Sequence, residues 1–119
     1  MSAQELRDFK WKKRIVLLAD YGNNPEKSEL QLKMFKAKSN EMKERDLILF
    51  VYNGKDLMDI DGTLTNIKMD NTPYNDYQGV ILIGKDGGVK LRKKFVVEAT
   101  EIFELIDQMP MRRSEMKHR

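Results

Sequence analysis

The chain has 119 residues, of which 40% are hydrophobic and 34% charged, enough apolar content for one domain with a packed core. It contains no cysteine, so disulfides, thiolate metal sites and dithiol redox cycling are excluded by composition. The formal net charge of +3 is too mild to name a nucleic-acid partner, and the single histidine, His118, stands beside the C-terminus, which argues against a Ser-His-Asp triad and against a His-rich metal site.

In chain order, residues 4–10 make a short helical segment with Leu6 and Phe9 inward. The basic cluster Lys10, Lys12, Lys13, Arg14 then leads into Ile15-Val16-Leu17-Leu18-Ala19, a continuous apolar run that predicts a strand buried on both faces. Asp20-Tyr21-Gly22-Asn23-Asn24-Pro25 reads as a turn into a helix, with Asn24 as N-cap and Pro25 in the first position. That helix is expected to run to about Glu44. It carries two apolar stripes, Leu30, Met34 and Ala37 on one side and Leu32, Phe35 and Met42 on another. The second stripe predicts packing against the N-terminal segment or, as the alternative, a partner surface such as a homodimer contact.

Leu47 to Tyr52 is a second apolar strand, so residues 14–52 read as a parallel strand–helix–strand unit with a right-handed crossover. Residues 53–76 are polar and turn-rich, with at most one short strand around residues 65–69. A third strand at residues 79–84 is joined through Lys85-Asp86-Gly87-Gly88 to a return strand at residues 89–95, because Asp-Gly supplies the positive φ of a tight hairpin. Simple alternation places Val89 and Leu91 on one face of that edge strand, with Lys90 and Arg92 on the other. Residues 98–109 form a helix striped by Ile102, Leu105, Ile106 and Met109 and stopped by Pro110. Residues 111–119 are a basic tail with His118 frayed near its end. The whole chain, 1–119, is read as one α/β domain: a thioredoxin-like sandwich, its mixed sheet made of a βαβ unit and a β-hairpin, with a C-terminal helix and helices on both faces.

Four segments carry a family resemblance: residues 11–18 (Trp-Lys-Lys-Arg-Ile-Val-Leu-Leu), 44–47 (Glu-Arg-Asp-Leu), 82–92 (the hairpin) and 106–116, which holds Met109-Pro110-Met111-Arg112-Arg113. They resemble a family of short bacterial thioredoxin-like proteins of unknown function. That family is related to the P-DUDES domain, repeated in a vertebrate coiled-coil-containing matrix protein and found once in sushi-repeat proteins. The resemblance implies a thioredoxin-like fold and supplies no catalytic residue. Its animal relatives are extracellular, whereas the start Met1-Ser2-Ala3-Gln4-Glu5-Leu6 is no signal peptide. The chain as it stands is expected in the cytoplasm, with a secreted or periplasmic location following only if a leader has been removed. No apolar run reaches the ~20 residues of a membrane span.

In thioredoxins the dithiol sits at the start of the helix after the first strand. Tyr21, Asn23 and Asn24 occupy that place here, and Gln78-Gly79 stands where a proline usually faces the site. Thioredoxin and peroxiredoxin chemistry is therefore excluded. Asp59-Ile60-Asp61-Gly62-Thr63-Leu64-Thr65 matches the nucleophile motif of haloacid-dehalogenase-type phosphatases, but no buried strand precedes it, and it reads as a polar turn. It fails as a calcium loop because the first and twelfth positions would be Leu57 and Lys68. The hairpin glycines lie between two strands, so they do not make a phosphate loop.

What remains is electrostatic. Lys85, Lys90 and Arg92 on the hairpin and Arg112 and Arg113 on the tail would form one basic surface if the final helix returned along the hairpin. The competing reading is a solvated edge that discourages aggregation. Trp11, Tyr74 and Tyr77 do not interleave with these cations, which argues against nucleic acid, and Trp11 is expected to pack beside the first strand. The sequence thus predicts a binding module for a protein or an anionic ligand, without cofactor or metal. The alternative is an enzyme on a small anionic substrate held at the helix start by Tyr21, Asn23, Asn24 and free backbone amides, with Asp20 and Tyr21 as acid/base groups.

Overall fold

The computed structural model describes residues 5–69 and 77–117. Its sheet has five strands: β1 (Arg14–Ala19), β2 (Leu47–Tyr52), β3 (Leu57–Asp59), β4 (Gly79–Ile83) and β5 (Val89–Lys93). They lie in the order β3-β2-β1-β4-β5. β1 and β2 are parallel, as the crossover between them requires, and every other pairing is antiparallel. The central strand β1 is buried along its whole length because both its faces are covered.

Strand alternation divides the core in two. Val16, Leu18, Leu49, Val80 and Leu82 point to one side, where they meet Phe35, Met42, Ile102, Phe103 and Ile106 from the helices. Ile15, Leu17, Phe50, Ile81 and Ile83 point to the other, where Leu6, Leu57 and the partly buried Phe9, Ile67 and Met69 close over them. The helices therefore do not cover both faces, as the sandwich reading expected. α1 (Pro25–Lys36), α2 (Ser39–Glu44) and α3 (Ala99–Asp107) share one face. The opposite face is closed by the 3-10 turn Leu6–Phe9 and the irregular chain before residue 70, since that excursion is too polar and turn-rich to supply a helix.

Five further expectations change. The single long helix is broken at Ala37 and Lys38 into α1 and α2, with no glycine or proline to mark the break. A continuous helix over those 20 residues would extend roughly 30 Å, well past a six-strand-residue sheet of roughly 20 Å. The core also selects the stripe of Leu32, Phe35 and Met42, packed edge-on against Phe103 of α3 rather than against the N-terminal segment, while Leu30 stays 52% exposed. Phe35 and Met42 of that stripe are buried inside the fold, with Leu32 partly buried beside them. Near residue 65, Leu64 and Lys68 form only isolated bridges, and the short strand lies earlier, at Leu57–Asp59.

A register shift between Leu82 and Ile83 interrupts the β4–β5 ladder. The extra residue it accommodates sends Leu91 to the helical side and Val89 to the opposite side, so the two do not share a face. Finally, Pro110 ends nothing: α3 stops at Asp107, and Pro110 opens α4 (Pro110–Lys117). Most of the expected basic tail is thus a helix. His118, Arg119, Pro73 and Tyr74 lie outside the described residues.

One polar pairing ties the helical layer together. The buried Gln31 of α1 donates through Nε2 to the Val97 carbonyl at 2.8 Å and accepts from the Val97 amide through Oε1 at 2.7 Å. A side-chain amide can offer a donor and an acceptor side by side, so it satisfies both backbone groups of Val97 just before α3 begins.

Candidate binding surface at the hairpin end

Two ends of the sheet compete as sites. At the end where β1 finishes, Asp20 Oδ1 accepts the amides of Gly22, Asn23 and Asn24 at 3.2, 3.1 and 3.1 Å. Asn24 is the N-cap residue and Pro25 follows it, but the Asn24 side chain caps nothing. Gln78 Oε1 accepts from the Tyr21 amide at 3.3 Å and from Asn23 Nδ2 at 3.0 Å, and the Tyr21 ring stands edge-on to Tyr52. The loop amides expected to hold an anion are thus taken by the protein's own carboxylate. Gly79 beside this corner has φ +136°, and a Cβ there would run into the Lys93 carbonyl, so the residue facing the corner must be glycine.

The Asp59 motif is a turn. Asp59 ends the edge strand β3, and its Oδ1 accepts the amides of Asp61 and Thr63 at 2.9 and 3.0 Å. Among the described residues no group of His, Cys, Asp or Glu could hold a metal ion.

The opposite end is built differently. Register places Arg14 beside Leu47 and Ile15 beside Ile83, which brings the starts of β1 and β2 next to the turn between β4 and β5. There the chain buries an ionic network. Arg14, 1% exposed, forks onto Glu115 of α4 through Nη1 and Nη2 at 3.2 and 3.1 Å, and also donates to the Arg45 carbonyl at 2.8 Å. Lys85 Nζ bridges Asp46 and Glu115 at 2.9 and 2.8 Å. Arg45 forks onto Asp107 at 3.0 and 2.8 Å with its guanidinium over the Phe103 ring. Arg112, 2% exposed, reaches Asp107 at 3.2 Å and the Glu44 carbonyl at 3.1 Å. Paired, hydrogen-bonded ions are the form in which charge tolerates burial.

The five predicted binding residues therefore separate. The final helix does return to the hairpin, but Lys85 and Arg112 are internal ion-pair members and present no open charge. Lys90 is paired with Asp86 at 2.8 Å on the surface. Only Arg92 and Arg113 are exposed and make no ion pair among the described residues. Sequence reading missed Arg14, Arg45, Asp46, Asp107 and Glu115 as a set. The available signal was their location: all five fall in or immediately beside the four segments that carry the family resemblance.

Burial on its own would raise the carboxyl pKa values of Asp46, Asp107 and Glu115. Hydrogen bonds from Lys85 to Asp46, from Arg45 and Arg112 to Asp107, and from Arg14 and Lys85 to Glu115, with the charges of those partners, outweigh it and hold all three below their ordinary values. A carboxylate depressed in the fold stabilises above its unfolded pKa, and that stability is lost as pH falls through the folded value. We expect thermal stability to be flat above the ordinary carboxylate values of 3.8 and 4.5 and to fall steadily below them, with a shallower fall in Glu115→Gln. Calorimetric melts across that range check this; an acid limb unchanged by the substitution would remove Glu115 from the account.

Two further features face solvent at this end. Trp11 is 60% exposed, not packed beside β1 as expected, and has φ +69°, a conformation rare for a bulky residue. Its amide donates to the Lys85 carbonyl at 2.6 Å, and Lys10 Nζ lies 5.5 Å from its ring centroid. Beside the turn lies a cavity of ≈ 330 Å³ lined by Arg14, Lys85, Lys90, Met109, Pro110 and Met111 among others.

No helix among the described residues is long and apolar enough to cross a membrane. No curated protein matches the chain. Among solved structures it is similar to the mitochondrial 2-Cys peroxiredoxin of Plasmodium falciparum, with 13% identity, a TM-score of 0.58, and coverage of 96% of this chain and 84% of that one. At that identity the likeness is one of fold, and it establishes the thioredoxin-like sheet described above. The family model described as "Domain of unknown function (DUF4174)" matches residues 5–115, and the chain belongs to that family.

Proposed function

We propose that this domain is a non-redox binding module that works through the hairpin end of its sheet and recognises an anionic group on a protein or a small ligand. The observation that carries the reading is Trp11. A large aromatic side chain stands in solvent on a strained backbone, fixed there by the turn carbonyl of Lys85, with Lys10, Lys12 and Lys13 exposed around it. Backbone strain of this kind costs about 1–3 kcal/mol and persists where the surroundings enforce it, most often at working surfaces. The relationship to P-DUDES domains belongs to the same proposal, since the resembling segments converge on this end.

The test is an amide-resolved NMR titration with an acidic peptide, inorganic phosphate and a sulfated oligosaccharide. Saturable shifts centred on residues 10–13, 85–90 and 109–113, lost in Trp11→Ala and reduced in Arg113→Ala, are the expected result. Both side chains are exposed, so neither change should disturb folding. Shifts centred instead on Tyr21, Asn23, Asn24 and Gln78 would overturn this reading in favour of an enzyme site at the helix start.

A further inference from the structure

The sheet has two edges, and the chain that follows covers one of them. β3 is three residues long, and its outward backbone groups are taken: the Thr65 amide donates to the Leu57 carbonyl at 3.0 Å, and the Asp59 amide to the Thr63 carbonyl at 2.9 Å. β5, at the other end of the strand order, has no such cover among the described residues. Register fixes where its backbone groups point. The Arg14 amide donates to the Asp46 carbonyl, so residues 14, 16 and 18 of β1 turn their backbone groups to β2, and residues 15, 17 and 19 turn theirs to β4. Ile83 and Ile81, opposite Ile15 and Leu17, therefore bond to β1, while Val80 and Leu82 bond to β5 through Lys93 and Leu91. Arg92, between those two, turns its N–H and C=O out of the sheet, and neither has a partner among the described residues.

The side chains give that edge one sign. Lys90, Arg92, Lys93 and Lys94 are exposed along it. Arg92 lies opposite Ile81, on the face away from the helices, and Lys93 lies opposite Val80, on the helical face, so both faces of the edge are cationic. Asp86 and Glu101 hold Lys90 and Lys93 in exposed bridges at 2.8 and 2.9 Å, which exchange partners at little cost. Arg92 and Lys94 make no ion pair among the described residues. A row of like charges sets the edge against a second copy of itself, because like charges directly opposite each other destabilise a ladder. The same row attracts a strand of opposite sign. We propose that the outer edge of β5 takes up an extended acidic segment of a partner protein as an added strand, its main chain bonded to the Arg92 N–H and C=O, its carboxylates meeting Arg92 on one face and Lys93 on the other. This rests on the reading of the hairpin end as a surface for an anionic group, and deepens it by naming the partner and how it is held.

The probe is a peptide with blocked ends that alternates Glu and Thr, about eight residues long and so able to span a strand; a Lys-and-Thr peptide is the control. Both are titrated into the intact chain and followed by amide-resolved NMR and hydrogen exchange. The acidic peptide is expected to bind saturably, more weakly as salt rises, and to shift residues 89–94. It should slow exchange of the Arg92 amide by about tenfold or more, and the basic peptide should do neither. Arg92→Ala keeps the main chain and should weaken binding severalfold. Arg92→Pro also removes the outward N–H, leaves the ladder to β4 intact, and should abolish binding. If the proline variant does not fold, exchange of the Arg92 amide in the native chain decides alone. Saturable binding that leaves that exchange unchanged, or that Arg92→Pro tolerates as well as Arg92→Ala, overturns the added strand. Shifts at residues 10–13 and 85 with none at 91–93 overturn the edge assignment and leave the binding module standing. Protection of the Arg92 amide without peptide, growing with protein concentration, gives the edge to a second copy and overturns the proposal. If neither this peptide nor inorganic phosphate moves any amide of the hairpin end or of β5, both readings fall.

Discussion

Replacing Arg112 by alanine is expected to destabilise the domain by about 1.5–3 kcal/mol, the range for losing hydrogen bonds made by a charged group, whereas Arg113→Ala next to it should stay within about 0.5 kcal/mol. The two arginines are adjacent in sequence and identical in chemistry. Arg112 is buried against Asp107 and the Glu44 carbonyl, while Arg113 projects into solvent. Without Arg112, Asp107 keeps Arg45 but loses its second partner, and the Glu44 carbonyl is left facing a cavity. Urea unfolding checks the contrast: the Arg112→Ala midpoint should fall with an unchanged denaturant slope. Comparable small effects for both variants would mean that the network holds without α4.

The second large effect is expected at Phe35. Phe35→Ala removes a fully buried ring from the junction of α1, β1 and α3 and should cost about 3–5 kcal/mol, transfer and cavity terms together. Leu30→Ala, five residues earlier on the same helix, should cost under about 0.5 kcal/mol, because Leu30 is already in water. Thermal or denaturant melts of the pair report which face of α1 the sheet has taken. The reverse ranking would rotate the helix onto its other stripe.

The sheet was readable from the sequence because β1, β2 and β4 are continuous apolar runs, and because Asp86-Gly87 supplies a turn that only a hairpin uses. β3 was not, since Leu57-Met58-Asp59 is too short to show a period and has no β-branched residue. The choice between the two stripes of α1 is made by Phe103 and Val97, which arrive more than sixty residues later, so local periodicity could not settle it. The ionic network was invisible for a different reason. Periodicity reveals an inward face only when that face is apolar, and α4 turns Arg112 and Glu115, three residues apart, toward the sheet. A charge count places such residues on the surface. The Asp20 carboxylate shows the same limit: the sequence offers it as an acid/base group and does not reveal that its Oδ1 accepts three amides of its own loop.

The fork between Arg14 and Glu115 joins residues 101 positions apart. A ribosome adding about 5–20 residues per second makes the second partner roughly 5–20 s after the first. Throughout that interval the guanidinium that opens the central strand lacks the carboxylate it forks onto, and Lys85, made 30 residues before Glu115, has only Asp46. The growing chain can lay down its βαβ unit and its hairpin, but the end where they meet stays wet until α4 emerges. One glutamate, made last, thus closes over two cations, one synthesised 101 residues before it and the other 30.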